Sequence, residues 1–290
     1  MPNQETRISK VGVGFAFSPR LEALLAEAKR ICRSLDSKLL LIHAGESNPN
    51  EKKQLTALLN KLRIEENEVE LFWESGKAEK VIRRICLGEK VDLLLLGAMK
   101  HEAMLTYYLG SVARRLSRNP PCSLLLITEP NYKSTDLRHV VINGLDHPKT
   151  PGTIKEGLRI AKRFRSKEVS IVEEVRPDQL KVRIEDEESL AKAVEERKRL
   201  QEEENKRVRD LIKPFREVYD QKIRMQCIFG KPGYSIGHFA EVKKADLLIV
   251  NSHDKNLGFL DKFFPHDLEY ILSDLPCDLL IMHSDNLYAN

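Results

Sequence analysis

The sequence predicts an α/β protein built from two repeated, doubly wound, open parallel sheets of five strands each. Short, wholly apolar runs alternate with amphipathic helical stretches, the pattern of strands buried on both faces by crossover helices. Segments of the first half recur in the second. At 290 residues the chain is long enough for two domains of ordinary size.

In the first half the strands are expected near Val11 to Phe17, Leu39 to Ala44, Glu68 to Trp73, Val91 to Gly97 and Cys122 to Thr128. Between them Leu21, Leu24, Leu25, Ala28 and Cys32 make one helical stripe, and Leu55, Leu58, Leu59 and Leu62 make another. Ser18-Pro19 and Thr150-Pro151 carry the same N-cap and first-turn signals at equivalent helix starts. Gly12 and Gly14 form a G-x-G inside the first strand, with no third glycine and no turn, so close helix packing explains them better than a dinucleotide.

The repeat is legible in register. Lys90-Val91-Asp92-Leu93-Leu94 returns 154 residues later as Lys244-Ala245-Asp246-Leu247-Leu248, and Pro121-Cys122 returns after 155 as Pro276-Cys277. Ser37-Lys38 pairs with Ser166-Lys167 at an offset of 129, so about 25 residues are inserted in the second half. The expected domains are 1–130 and 131–290, with a helical insertion near 185–220. From Glu195 to Arg207 only Leu200 is strongly apolar, so this stretch is expected to project as a solvated helix. Glu195 with Arg199, Glu202 with Lys206 and Glu203 with Arg207 would lace it, before Leu211, Ile212, Phe215 and Val218 return it to the domain with a bend at Pro214.

Composition excludes several classes. A formal charge of +4, from 48 basic and 44 acidic residues, is too balanced to argue for nucleic acid or an anionic membrane. The polar N-terminus lacks an apolar signal core and the apolar runs are strand-sized, so a cytoplasmic chain without a membrane partner is expected. Cys32, Cys86, Cys122, Cys227 and Cys277 stand far apart in apolar contexts and read as reduced core residues.

Chemistry concentrates in one loop. Gly97 ends the fourth strand, and Gly110-Ser111-Val112 opens a helix whose free N–H groups and dipole attract an anion. In such sheets ligands bind at the carboxyl ends of the strands. With Lys100 between them, Gly97, Lys100, Gly110, Ser111 and Val112 are the candidate phosphate-binding residues. In the second half Asn251 and Asp254 replace small residues, and Phe264-Pro265-His266 replaces Gly-Ser, so the equivalent loop is degenerate. His147, His253 and His266, with Asp146 and Asp254, fall near that second crevice; they read either as a metal or proton site or, with no zinc-like spacing, as unrelated loop residues. His43 and His283 read as packing residues at strand ends. No nucleophile and base pair is visible, so no catalytic residue and no metal ligand is assigned.

The spacing of Gly97, Gly110 and Ser111 resembles the G-x2-G-x9-G-(S/T) motif of the universal stress protein family, with Lys100 at the second glycine. Pro120 to Ile127 resembles that family's closing strand, Ile42-His43 the end of its second strand, and the likeness runs through the chain twice. The resemblance implies an adenine-nucleotide-binding, Rossmann-like domain with strand order 3-2-1-4-5. It implies pairing of the halves through Cys122 to Thr128 and Cys277 to His283 as an intramolecular pseudo-dimer, with a homodimer or a protein partner beyond it. The implied ligand is ATP or AMP, with Mg²⁺, and the implied role is stress response or regulation. Ala16 stands where the family has a nucleoside-binding aspartate. Two alternatives remain open: a nucleotide-independent scaffold that uses the charged helical arm, and a slow ATPase.

Overall fold

The computed structural model describes residues 8–100, 107–130, 137–180, 182–183, 185–215, 219, 222–252 and 264–283. They divide into two compact units: the first holds 8–130 with 252 and 272–283, and the second holds 137–251 with 264–271.

The first unit alternates strand and helix from β1 (Lys10–Phe15) and α1 (Leu21–Leu35) through β2 (Lys38–Ala44), α2 (Pro49–Lys61), β3 (Val69–Glu74), α3 (Ala78–Gly88) and β4 (Leu93–Gly97). Two short strands, β5 (Met99–Lys100) and β6 (Tyr107–Tyr108), pair with each other ahead of α4 (Ser111–Arg118) and β7 (Ser123–Ile127). The main strands are parallel in the order β3-β2-β1-β4-β7, the doubly wound arrangement. Val11, Val13, Leu40, Leu41, Ile42, Leu94 and Leu95 are wholly or almost wholly buried, as expected of strands covered on both faces. Gly12 and Gly14 lie within β1 as packing residues: a Cβ on Gly14 would stand 2.6 Å from Leu96 Cδ2.

Boundaries correct the sequence reading in places. β1 stops at Phe15, short of Phe17. Ser18-Pro19 forms a turn in which Leu21 N donates to Ser18 O at 3.0 Å, so Arg20 rather than Ser18 precedes α1. The residue at the start of the fifth helix is likewise not capped by Thr150, whose hydroxyl donates to Leu145 O at 2.5 Å. In α2 only Leu55 of the expected stripe is fully buried.

The second unit runs β8 (His139–Asn143), α5 (Thr150–Arg163), β9 (Glu168–Val175), α6 (Glu187–Ile212), β10 (Lys222–Phe229), α7 (Tyr234–Val242) and β11 (Leu247–Asn251). Its strands are parallel in the order β10-β9-β8-β11. Helix α8 (Phe264–Ser273) leads to β12 (Asp278–Met282), which joins the first unit antiparallel to β7 with Leu279, Leu280 and Ile281 opposite Leu126, Leu125 and Leu124. The ladder ends are tied reciprocally: the Asp278 carboxylate accepts from Thr128 N and Oγ1 at 2.8 Å, and Ser123 Oγ accepts from His283 N at 3.2 Å.

The charged stretch does not project. Helix α6 is the crossover between β9 and β10 and packs against β10 and α5. Small or aliphatic contacts replace large apolar ones: Ala193, Val208 and Ile212 are buried, and the Arg197 guanidinium lies 4.4 Å from the Phe229 ring. Long basic side chains cover apolar surface with their stems, a contribution that counting apolar residues misses. The ion pairs also differ, since Arg199 pairs with Glu196 and Glu203, and Arg207 pairs with Glu204. Pro214 ends the helix in a short 3₁₀ turn rather than bending it, and Val218 lies outside the described residues.

Candidate functional site

In the first unit, β4 delivers Gly97 to the carboxyl edge of the sheet, and α4 begins at the same edge because it crosses back toward the start of β7. Among the described residues, Gly97 has only Leu24 Cδ2 within 4 Å of its Cβ position, at 3.8 Å. A ligand can approach that backbone, in contrast to the filled surroundings of Gly14. Gly110 occupies the N-cap of α4 with extended backbone (φ −61°, ψ 161°) and no side chain to cap it. The leading N–H groups of Ser111, Val112 and Ala113 therefore receive no acceptor from the cap residue, and the first turn carries no acidic residue. Lys100 lies in β5, so its backbone belongs to this loop; residues 101–106 are outside the described residues.

One participant escaped the sequence reading. Arg20, in the turn after β1, donates through Nη1 to Ala98 O at 2.9 Å and through Nη2 to Thr128 O. It clamps the ends of β4 and β7 and puts a guanidinium beside the Gly97 loop. Ser18-Pro19-Arg20 follows a buried strand, a place where a functional side chain is expected, but no local spacing marks the arginine.

The ends of β1, β2 and β3 carry aromatic rings where an acidic group is missing. Ala16 is exposed, and near the same strand ends the His43 ring lies tilted or edge-on at 4.4 Å from Trp73, 5.1 Å from Phe15 and 5.3 Å from Phe17, centroid to centroid. His43 is buried, and its Nδ1 lies 3.1 Å from Phe15 O, consistent with a packing role. Trp73 and Phe17 stay half-exposed, with Lys52 Nζ 5.7 Å from the tryptophan ring. A partly exposed cluster of aromatic rings next to a cation can receive a planar ring on one of its faces without a carboxylate.

The second unit closes the matching place with its own side chains. At the end of β11, Asn251 Oδ1 accepts from Thr153 Oγ1, and its Nδ2 donates to Thr150 Oγ1 at 3.1 Å. All three residues are buried, so β11 and the start of α5 satisfy each other where Gly97 leaves space in the first unit. At α7, the counterpart of α3 rather than of α4, the Glu174 carboxylate accepts from Gly233 N at 3.1 Å and Ile236 N at 2.8 Å and fills the anion position of that helix start. On the other face of β9, Glu173 meets Arg207, which also donates to Gly144 O at 2.5 Å and lies 3.8 Å from Asp146. Burial pushes the Glu173 carboxyl up to about 8 against the pull of Arg207.

The histidines are not assembled among the described residues. His147 is buried with Nδ1 accepting from Lys149 N at 3.1 Å, while His253 and Asp254, and the side chain of His266, lie outside the description. No group of three or more His, Cys, Asp or Glu placed to hold a metal occurs among the described residues. The five cysteines are free; four are buried, and burial raises the Cys32 thiol to about 12 and the Cys227 thiol to about 11. No helix among the described residues is long and apolar enough to cross a membrane.

With this geometry in view, residues 7–128 match the Universal stress protein family. Solved structures share the fold over nearly the full chain. A putative universal stress protein from Pseudomonas aeruginosa UCBPP-PA14 is 16% identical with a TM-score of 0.66, covering 97% of this chain and 96% of that one. A universal stress protein from Archaeoglobus fulgidus DSM 4304 is 10% identical with a TM-score of 0.66, covering 94% and 98%. A protein of unknown function from Pseudomonas aeruginosa PAO1 is 16% identical with a TM-score of 0.64, covering 97% and 95%. These likenesses are of fold. No curated protein matches the chain.

Proposed function

We propose that the chain is a stress-response protein and that its first domain, whose residues 7–128 match the Universal stress protein family, senses an adenine nucleotide, ATP or AMP. The observation that carries the reading is the pairing of an open backbone at Gly97 with the uncapped start of α4 at Gly110-Ser111-Val112. In this reading the Ser111 hydroxyl and the α4 amides hold the phosphates, with Lys100 adding charge from the loop. Mg²⁺ would accompany the triphosphate. The base lies on the Trp73 and Phe17 rings, in place of recognition by the missing acid at Ala16.

The second unit serves as a structural partner without a nucleotide of its own, because Asn251 fills the strand-end position that Gly97 leaves open. The protein acts in the cytoplasm as a regulatory binder rather than a catalyst. The alternative of a charged arm that recruits a scaffold partner loses support, since α6 is docked on β10 and α5. Thermal unfolding of ligand-stripped protein with ATP or AMP, with and without Mg²⁺, tests the proposal. A ligand held only by the folded chain stabilises it by about 2.7 kcal/mol at a hundred times its Kd. The shift should vanish in Gly110→Val, whose branched side chain crowds the phosphate; an equal shift in that variant refutes the assignment of the loop.

A further inference from the structure

The amino ends of β8, β9 and β10 frame a second cleft, of about 400 Å³, remote in topology from the carboxyl ends that hold nucleotides in such folds. Its rim is basic. Arg138 and Lys167 precede β8 and β9, Arg224 projects from β10, and Lys243 follows α7. Against these four cations the lining offers one carboxylate, Glu168, which is already engaged by Arg224 Nε at 2.7 Å and Lys222 Nζ at 3.8 Å. Arg138 and Lys167 have no acidic partner among the described residues, and Lys243 Nζ only overlies the Phe239 ring at 5.9 Å.

The floor is polar where a sheet face is ordinarily aliphatic. Ser170 is 2% exposed, and its hydroxyl meets His139 Nε2 at 2.8 Å. The Gln226 amide, on the same face two residues beyond Arg224, has no hydrogen-bond partner among the described residues. The third rung of this sheet is Val141, Ser170 and Arg224, whereas the third rung of the first unit is Gly12, Leu40 and Glu70. Positive charge at this rung therefore belongs to the second unit, where the first has the carboxylate of Glu70. Cations without acidic partners among the described residues, a half-buried amide without a partner and a buried hydroxyl already held by His139 line a cleft of ligand size and suit a compact anion with hydroxyl groups.

We infer that this cleft binds a small phosphate monoester or diphosphate, its phosphate held by Arg138, Lys167 and Lys243 and its polar body by Gln226 and the Ser170–His139 pair. Arginine and lysine match phosphate oxygens by charge-assisted bonds, and Phe239 closes one side with an apolar wall.

The test is calorimetric titration of the full chain with two probes, inorganic pyrophosphate and glycerol 3-phosphate, at low and physiological salt. Saturable binding is expected that weakens with salt and falls at least about tenfold in the double variant Arg138→Gln, Lys167→Gln, since each lost charge-assisted bond is worth more than a tenfold change. Both substitutions are on exposed side chains, so circular dichroism should show an unchanged fold. Binding should survive Gly97→Ala, which separates this cleft from the first unit's loop. Equal affinity in the double variant, or no saturation at millimolar probe, overturns the inference. Tighter binding of a short duplex oligonucleotide, lost in the same double variant, also overturns it by making the rim a nucleic-acid surface.

Discussion

Replacing Glu173 by Gln isolates a buried carboxyl of the second unit. Glu173 is 5% exposed, and its carboxyl is raised by burial from 4.5 to about 8 although Arg207 draws it down. Below pH 4.5 the carboxyl is protonated in both folded and unfolded chains and has no pH-dependent effect. As pH rises toward 8 the unfolded chain ionises while the folded chain holds its proton, so stability falls; above 8 the loss is complete. At about 1.4 kcal/mol per unit, the loss reaches up to about 5 kcal/mol. Gln keeps the volume and an acceptor for Arg207 but cannot titrate. Urea unfolding of both proteins from pH 4 to pH 9 measures the difference, and the slope matters rather than any constant offset from the changed partner of Arg207. The Gln variant should gain on the parent as pH rises through neutrality and level off above about 8. Parallel pH profiles would show that Glu173 is ionised at no cost and would refute the argument.

Two glycines should respond unequally to the same methyl group. Gly14→Ala drives a Cβ to 2.6 Å from Leu96 Cδ2 and should cost about 1–3 kcal/mol in urea unfolding, whereas Gly97→Ala, with its nearest neighbour at 3.8 Å, should cost under about 1 kcal/mol. Glu174→Ala strips two buried amides at the start of α7 of their acceptor and should cost about 2–4 kcal/mol; a loss within error would mean that water replaces the carboxylate freely.

The fold was legible because buried parallel strands announce themselves. Leu93 to Leu96 and Leu247 to Val250 are uninterrupted apolar runs, and each is preceded by the same Lys-x-Asp, whose lysine takes a left-handed φ in both units (54° at Lys90, 51° at Lys244). Its aspartate ties the neighbouring strand, Asp92 to Lys10 N and Asp246 to His139 N. Less legible was α6, because its contacts use Ala193 and the guanidinium groups of Arg197 and Arg207, which a count of large apolar residues passes over. In the candidate site, Gly97, Gly110 and Ser111 stood out through small residues at a strand end and a helix start. Arg20 and the ring cluster of His43 with Phe17 and Trp73 did not, since they converge from three strand ends that are distant in sequence. The closing of the second crevice by Asn251 was visible only as a lost glycine; its bonds to Thr150 and Thr153 cross about a hundred residues.

The most direct test of the account is an equilibrium titration of the ligand-stripped full chain with ATP, repeated on Gly97→Ala. A single saturable site is expected in the parent protein and a loss of binding in the variant, with the melting temperature of the free protein nearly unchanged, because among the described residues the added methyl meets only Leu24 Cδ2, at 3.8 Å. No binding at millimolar ATP, or identical binding by the two proteins, would contradict a phosphate site at the Gly97 loop.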